Sequence, residues 1–373
     1  MKHAFLNYAK RYAHEKENIK SIVYEVGISD NFILKEKVEK LEKKIKSYTG
    51  AKNAIAVSNG TAALMIILKA LGVGPGVEVL TPAFSFISSA SAIALLGGKP
   101  VFVEVDENTG MIDPEDLEKK ITSNSRIIIA VHLFSVMADM IKIKKIANKY
   151  GLTVVEDSAV SLGSKMNGIS SGLLGDIGLY SFFPAKPIGG IGDGGIIITD
   201  NDELAIKCRM LRNHGQDGKK RFYHQLLGYN CRMDELVAAF ISSRIEKLDQ
   251  LNHRRQMIAN IYNEELSLLK SYLQIPPTVD YKRVYYTYVI KALDRNELKK
   301  YLYSKGIETV IYYPLALHEQ EAFSYLGYAK GDFPKAEAFS RMSLALPLYP
   351  EMSEEEAYSI VNEVKAFYDQ KKY

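Results

Sequence analysis

The chain has 373 residues, 47% apolar and 25% charged, with a formal net charge of +4. This length and composition suit a globular protein of two domains; they give no argument for nucleic-acid binding and are compatible with an anionic small substrate. Cys208 and Cys231 cannot build a disulfide framework and lack metal-ligand spacing, the N-terminus has no apolar signal core, and no apolar run could span a bilayer, so a reduced cytoplasmic setting without membrane attachment is expected.

Residues 36–48 place Val38, Leu41 and Ile45 at helical spacing among lysines and glutamates, which predicts an amphipathic surface helix. A strand-then-helix rhythm follows. Strands are expected at 54–58, 78–80, 100–105, 126–131 and 152–156, with helices at 61–71, 88–96, 113–121 and 140–150 between them. Two more strands, 178–183 and 195–199, come without a long helix between them. Short strands apolar on both faces and alternating with helices predict an α/β fold: a mostly parallel sheet with helices on both sides and ligands at the carboxyl ends of its strands. The pattern changes in a long helical stretch, 233–265, with a break expected near Leu251-Asn252. Beyond Pro276-Pro277, strands at 284–292 and 308–312 alternate with helices at 296–305 and 354–368. The expected division is a large domain, 1–245, including an N-terminal helical arm, and a smaller α/β domain, 246–373.

Candidate chemistry gathers at the strand ends. Ser58-Asn59-Gly60-Thr61 closes the first strand, and the helix that begins there offers free N–H groups and a positive dipole end to an anion. An ordinary turn with a Thr cap accounts for the same residues. Phe86 ends Thr81-Pro82-Ala83-Phe84-Ser85-Phe86 and can stack on a planar cofactor or belong to the core. Glu156 and Asp157 close a buried strand, where charge is costly unless paired or functional, which favours function over a surface turn. Lys186 follows the run Tyr180-Ser181-Phe182-Phe183-Pro184-Ala185 and precedes five glycines in the seven residues 189–195, a density that implies close backbone approach or positive φ. A lysine on one strand-end loop and an acid on another is the pair a pyridoxal phosphate enzyme needs: the lysine forms the Schiff base, and the acid keeps the pyridine nitrogen protonated. Asn230 or Asp234 can simply cap the long helix, and Arg232 can be a surface charge.

Several motifs in order carry a resemblance: residues 59–64, Glu156-Asp157-Ser158-Ala159, Gly175-Asp176, residues 181–186, Gly192-Asp193-Gly194-Gly195, Arg212-Asn213-His214-Gly215 and residues 229–234. Together they resemble the nucleotide-sugar aminotransferases, pyridoxal 5′-phosphate enzymes of the aspartate aminotransferase fold (fold type I), from Phe32-Ile33-Leu34 to Tyr312-Tyr313-Pro314. The resemblance implies that Lys186 is the Schiff-base lysine and proton shuttle and that Asp157 holds the pyridine nitrogen. It assigns the cofactor phosphate to Gly60, Thr61 and Ser181 and ring stacking to Phe86. Asn230 would reach the phosphate of a neighbouring subunit's cofactor, making the active site shared and the enzyme a homodimer. Lysine at 186 separates the chain from the dehydrating branch of the family, which has His there. Two departures stand out: Val160 where the family usually has Gln, and Ser135-Val136, after His132-Leu133-Phe134, where it often has Gly-Gln.

The implied reaction is a ping-pong exchange. L-glutamate gives its amino group and leaves as 2-oxoglutarate, and a nucleotide-linked keto sugar accepts the group. Lys219, Arg232, Tyr312 and Tyr313 are candidates for substrate binding, the two cations at the sugar's diphosphate with a solvated surface role as their alternative. Residues 181–187, His214-Gly215-Gln216-Asp217 and Tyr312-Tyr313-Pro314 resemble enzymes acting on UDP-2-acetamido-3-keto-glucuronate, although His is usual where Tyr312 stands. The related dTDP-3-keto-6-deoxyhexose enzymes share most of the pattern. A 3-keto sugar on UDP or dTDP, for bacterial-type glycan or lipopolysaccharide O-antigen synthesis, is expected; a 4-keto sugar and a non-catalytic regulatory relative are the alternatives.

Overall fold

The computed structural model describes residues 2–220 and 222–371. Seven strands form the main sheet: β1 (Asn53–Val57), β2 (Glu78–Pro82), β3 (Lys99–Val103), β4 (Ser125–Val131), β5 (Thr153–Asp157), β8 (Ile177–Ser181) and β9 (Gly195–Thr199), with a short hairpin of β6 (Lys165–Met166) and β7 (Ile169–Ser170) outside it. The order is β1-β9-β8-β5-β4-β2-β3. Four of its six pairings are parallel, and β9 runs antiparallel to both of its neighbours. Both faces are buried. On β1, Ile55 and Val57 join one apolar core while Ala54 and Ala56 join another on the opposite face, and Ile197 divides from Ile196 and Ile198 in the same way on β9.

The expected helices α2 (Glu36–Thr49), α3 (Gly60–Ala70), α4 (Ser88–Leu95), α5 (Pro114–Lys119) and α6 (Met140–Tyr150) are all present within a few residues. Before them comes α1 (Tyr8–Ile28), capped by the Asn7 side chain. An additional helix, α7 (Asp202–Arg212), follows β9, and its Arg212 bonds Glu42 and the Ala56 carbonyl.

The long helix divides into α8 (Glu235–Ile245) and α9 (Leu248–Leu266), so the break lies at Glu246-Lys247, earlier than expected. The expected division at 245/246 falls beside it. A second sheet holds β10 (Leu273–Gln274), β11 (Tyr288–Ala292) and β12 (Ser343–Leu346), all antiparallel, flanked by α10 (Arg295–Ser304), α11 (Pro334–Met342) and α12 (Glu354–Asp369). The strand expected at 308–312 makes only a single bridge, Val310 to Ala345. The third strand is instead β12, which runs straight out of α11 and so gives no turn signal in the sequence. The chain's first residues also reach this region: His3 bridges Ile307, and the Phe5 N–H donates to Glu308 at 3.0 Å.

The carboxyl ends of β1, β2, β4, β5 and β8 and the start of β9 share one edge, since Gly195 is in register with both Val57 and Ser181. Close backbone packing below that edge depends on Gly178. A Cβ there would stand 2.4 Å from the Gly172 carbonyl oxygen, and no side-chain rotation relieves a clash with backbone. Gly178→Ala is therefore expected to lower stability by about 3 kcal/mol, measured by denaturant unfolding.

Candidate active site

A cavity of about 870 Å³ opens at this strand-end edge. Gly60, Thr61, Phe86, Asp157, Ser181, Lys186, Asn230, Tyr312 and Tyr313 all line it, although Gly60 and Tyr313 are 253 residues apart. Lys219 and Arg232 are not among the lining residues, and among the described residues Lys186 is the only lysine or arginine that lines the cavity.

At one end is the start of α3. The Asn59 side chain accepts from the Ala62 N–H at 2.8 Å. Gly60 and Thr61, as the first two helical residues, have N–H groups without an intrahelical partner. Ser181 sits against this turn, since a Cβ on Gly60 would meet the Ser181 Cβ at 3.1 Å. The Thr61 and Ser88 hydroxyls bond at 2.8 Å. This is a cradle of small side chains and N–H donors suited to a phosphate. Asn230, expected to serve a neighbouring copy, lines this chain's own cavity, and its Oδ1 accepts from Arg232 Nε at 2.9 Å.

Asp157 ends β5. Its Oδ1 accepts from the Ala159 N–H at 3.1 Å. Burial raises its pKa, opposed by that N–H, by Lys186 and by His132. The Lys186 amine is pushed down to about 8 by burial, with Asp157 pulling the other way. The two are thus electrostatically linked within the cavity, and a pKa of about 8 leaves roughly a tenth of the amine uncharged at pH 7. The Nζ lies 4.8 Å from the centre of the Tyr286 ring. Tyr286 in turn is held neutral by burial first and by neighbouring Tyr312 and Tyr313. Phe86 is half exposed at the cavity wall and packs against Tyr313, ring centres 5.9 Å apart.

The adjacent acid has another task. Glu156 is fully buried and accepts from the Gly172 N–H at 2.9 Å, the Gly175 N–H at 2.5 Å and His132 Nε2 at 2.8 Å. The Ala138 N–H donates to His132 Nδ1 at 3.2 Å, which puts the imidazole proton on Nε2, facing Glu156.

Sequence reasoning missed His132 and Tyr286 as lining residues. His132 follows the last residue of β4, so the strand-end rule could have found it. Tyr286 was hidden inside an expected strand, 284–292, whose regular part begins only at Tyr288. Val160 also lines the cavity. Its carbonyl accepts from Ser135 Oγ at 2.6 Å, and the Tyr286 N–H donates to that same hydroxyl at 3.2 Å.

A lysine and an acid in one cavity, an N–H cradle at one end and an exposed aromatic on the wall fit the donor set of pyridoxal phosphate. The sequence pattern of the DegT/DnrJ/EryC1/StrS aminotransferase family matches residues 13–365. A pleiotropic regulatory protein of Geobacillus stearothermophilus is 44% identical over 97% of this chain and 98% of its own. The UDP-N-acetyl-3-dehydro-alpha-D-glucosamine 3-aminotransferase of Acidithiobacillus ferrooxidans is 38% identical over 90% of this chain and 89% of its own. Among solved structures, DesV of S. venezuelae in complex with a ketimine intermediate superposes with a TM-score of 0.94, at 33% identity over 98% of both chains.

The linkage of Lys186 to Asp157 has a readable consequence in the apoprotein. Asp157→Asn removes the negative charge that raises the amine's pKa, so the midpoint for modification of Lys186 by an amine-reactive reagent should move to lower pH from its starting value of about 8. Mass spectrometry of the Lys186 peptide across pH measures it; an unmoved midpoint would show the two groups to be uncoupled.

Proposed function

Because the chain belongs to the DegT/DnrJ/EryC1/StrS aminotransferase family and works with pyridoxal 5′-phosphate, we propose that it transfers the amino group of L-glutamate to a 3-keto sugar carried on UDP or dTDP. The observation that carries this reading is the meeting of Lys186 and Asp157 in one cavity beside the start of α3. The Acidithiobacillus relative's name supports a UDP carrier and amination at C3; the motif resemblance to dTDP-3-keto-6-deoxyhexose enzymes supports the other carrier.

When bound, the cofactor supplies an aldehyde that condenses with amines and a ring that accepts electrons. The chain's own groups divide the remaining work. Gly60 and Thr61 offer N–H groups, and Thr61 and Ser181 offer hydroxyls, to the phosphate. Asp157 would hold the proton on the ring nitrogen with a carboxylate kept from water. Phe86 would lie against the ring. Lys186 anchors the cofactor and, when free, removes the proton from Cα of glutamate; in the return half it delivers a proton to C3 of the sugar. A base with a pKa of about 8 suits both directions of transfer. Burial by Tyr286, Tyr312 and Tyr313 keeps water from competing.

The diphosphate needs cations, and among the described residues the cavity offers only Lys186. A homodimer with shared sites would bring Lys219 or Arg232 of a second copy to it, with Asn230 at the phosphate end. The product, a nucleotide-linked amino sugar, would serve bacterial glycan or O-antigen assembly in the cytoplasm.

The loaded enzyme is expected to be yellow, with an absorbance band that borohydride removes and that Lys186→Ala lacks. Glutamate should bleach the band, and a UDP- or dTDP-linked 3-keto sugar should restore it. Restoration by 4-keto sugars alone would move amination to C4. A protein that stays colourless with added cofactor would sink the reading and favour the non-catalytic, regulatory one suggested by the name of the Geobacillus relative.

A further inference from the structure

The loop between β8 and β9 carries Lys186, and donors from outside the loop grip it from behind. Arg11 Nη1 donates to the Pro184 carbonyl at 2.6 Å, and the Tyr12 hydroxyl donates to the Gly190 carbonyl at 2.5 Å. Arg244 Nε donates to the Ile188 carbonyl. These carbonyls flank Lys186 on both sides. Internal bonds alone, Lys186 N–H to Phe183 at 2.8 Å and Gly190 N–H to Phe182 at 2.7 Å, close the loop but leave those three carbonyls to the outside donors.

Two of the donors belong to α1, whose route keeps it on this surface. Ile22 and Val26 of α1 pack with Ala239 and Phe240 of α8. Glu15, one turn beyond Arg11, pairs with Arg244, and Arg11 Nε lies 3.5 Å from Glu351. Arg11 is only 2% exposed, unusual for a residue near the start of a charged helix. The loop is shaped to receive it. Gly189 has φ +60°, and a Cβ there would lie 2.5 Å from Arg11 Nη1 and 2.7 Å from the Pro184 oxygen. A side chain at 189 would occupy the place the guanidinium takes.

We propose that α1 is a strap that positions the cofactor-binding lysine. Arg11 and Tyr12, with Arg244, fix the peptide planes around Lys186 so that its amine is presented to the cavity, and docking of α1 and binding of pyridoxal phosphate strengthen each other. The proposal rests on the reading of Lys186 as the lysine that binds the cofactor. Arg11 and Tyr12 act through the loop and are positioning residues. The coupling is reciprocal: whatever α1 adds to cofactor affinity, the cofactor adds to α1 docking.

Hydrogen exchange and cofactor titration test both directions. Adding pyridoxal phosphate to the wild-type apoprotein should slow exchange of the amides in residues 8–28. Titration followed by absorbance should show Arg11→Met and the milder Tyr12→Phe binding the cofactor about tenfold more weakly, the scale of one charge-assisted or buried hydrogen bond. Arg11→Lys should recover part of the loss, since an ammonium can still donate to Pro184. Arg254→Met is the control: Arg254 bonds the Pro350 and Met352 carbonyls and not the loop, and its variant should bind the cofactor like the wild type. A purely structural arm would lower the apo melting temperature while leaving cofactor affinity of the folded protein unchanged, which would overturn the strap. So would α1 exchange that ignores the cofactor, or Tyr12→Phe and Arg11→Met binding it at full strength. Failure of the wild type to hold the cofactor through Lys186 would instead overturn the reading beneath it.

Discussion

The site depends on a buried carboxylate that takes no part in the chemistry assigned to it. Glu156 has no exposed surface, and an isolated charge there would cost several kcal/mol. Two backbone N–H groups and the His132 Nε2 proton compensate it. Those bonds tie β5 to the 172–175 turn and to the segment after β4. Strand geometry then settles what comes next. Successive side chains point to opposite faces, so anchoring Glu156 on one side leaves Asp157 on the other, at the cavity. Two adjacent acids thus divide into a structural and a cavity-facing role.

Of the two departures from the family pattern, one places its side chain on the backbone of the other. Ser135 sits in the left-handed region, φ +62°, where glycine is comfortable and a side chain is strained. Its hydroxyl offsets that strain by donating to the Val160 carbonyl and accepting from the Tyr286 N–H. Tyr286 is the ring under the Lys186 amine. Replacing Gly by Ser therefore ties the Val160 segment to the tyrosine that packs on the lysine. An amide at 160 could bond a ligand oxygen. Val160 cannot, so this wall of the cavity contributes shape and exclusion of water.

Much of the fold was legible because it follows from local rules. The sheet strands, the helices between them and the position of Lys186 and Asp157 at strand ends all follow from apolar runs, turn residues and the strand-end rule. What was not legible rests on partners far away in the chain. Arg11 reads as one cation of a charged arm, and its burial appears only with the carbonyl of Pro184, 173 residues on. The Ser135 hydroxyl bonds the Tyr286 N–H across 151 residues. The strand at 343–346 escaped because it leaves α11 without a breaker, while 308–312, richer in β-branched residues, lacks a neighbour to pair with beyond Val310.

The glycine run after Lys186 shows why composition located this loop but not its purpose. Its density implied close approach, and the structure supplies the approaching groups from the protein itself. Gly189 admits Arg11, and Gly190 lies where a Cβ would be 2.5 Å from the Phe182 oxygen. A Cβ on Gly195 would stand 2.6–2.9 Å from the Asn59 backbone and the Gly60 nitrogen, so the start of α3 rests directly on the end of the loop. A Cβ on Gly192 would meet nothing within 4 Å. The loop is thus pinned at one end by the helix that offers its N–H groups to an anion and near Lys186 by α1. The spacing between the amine and that helix start is set by backbone contacts at Gly190 and Gly195 too close for any residue but glycine.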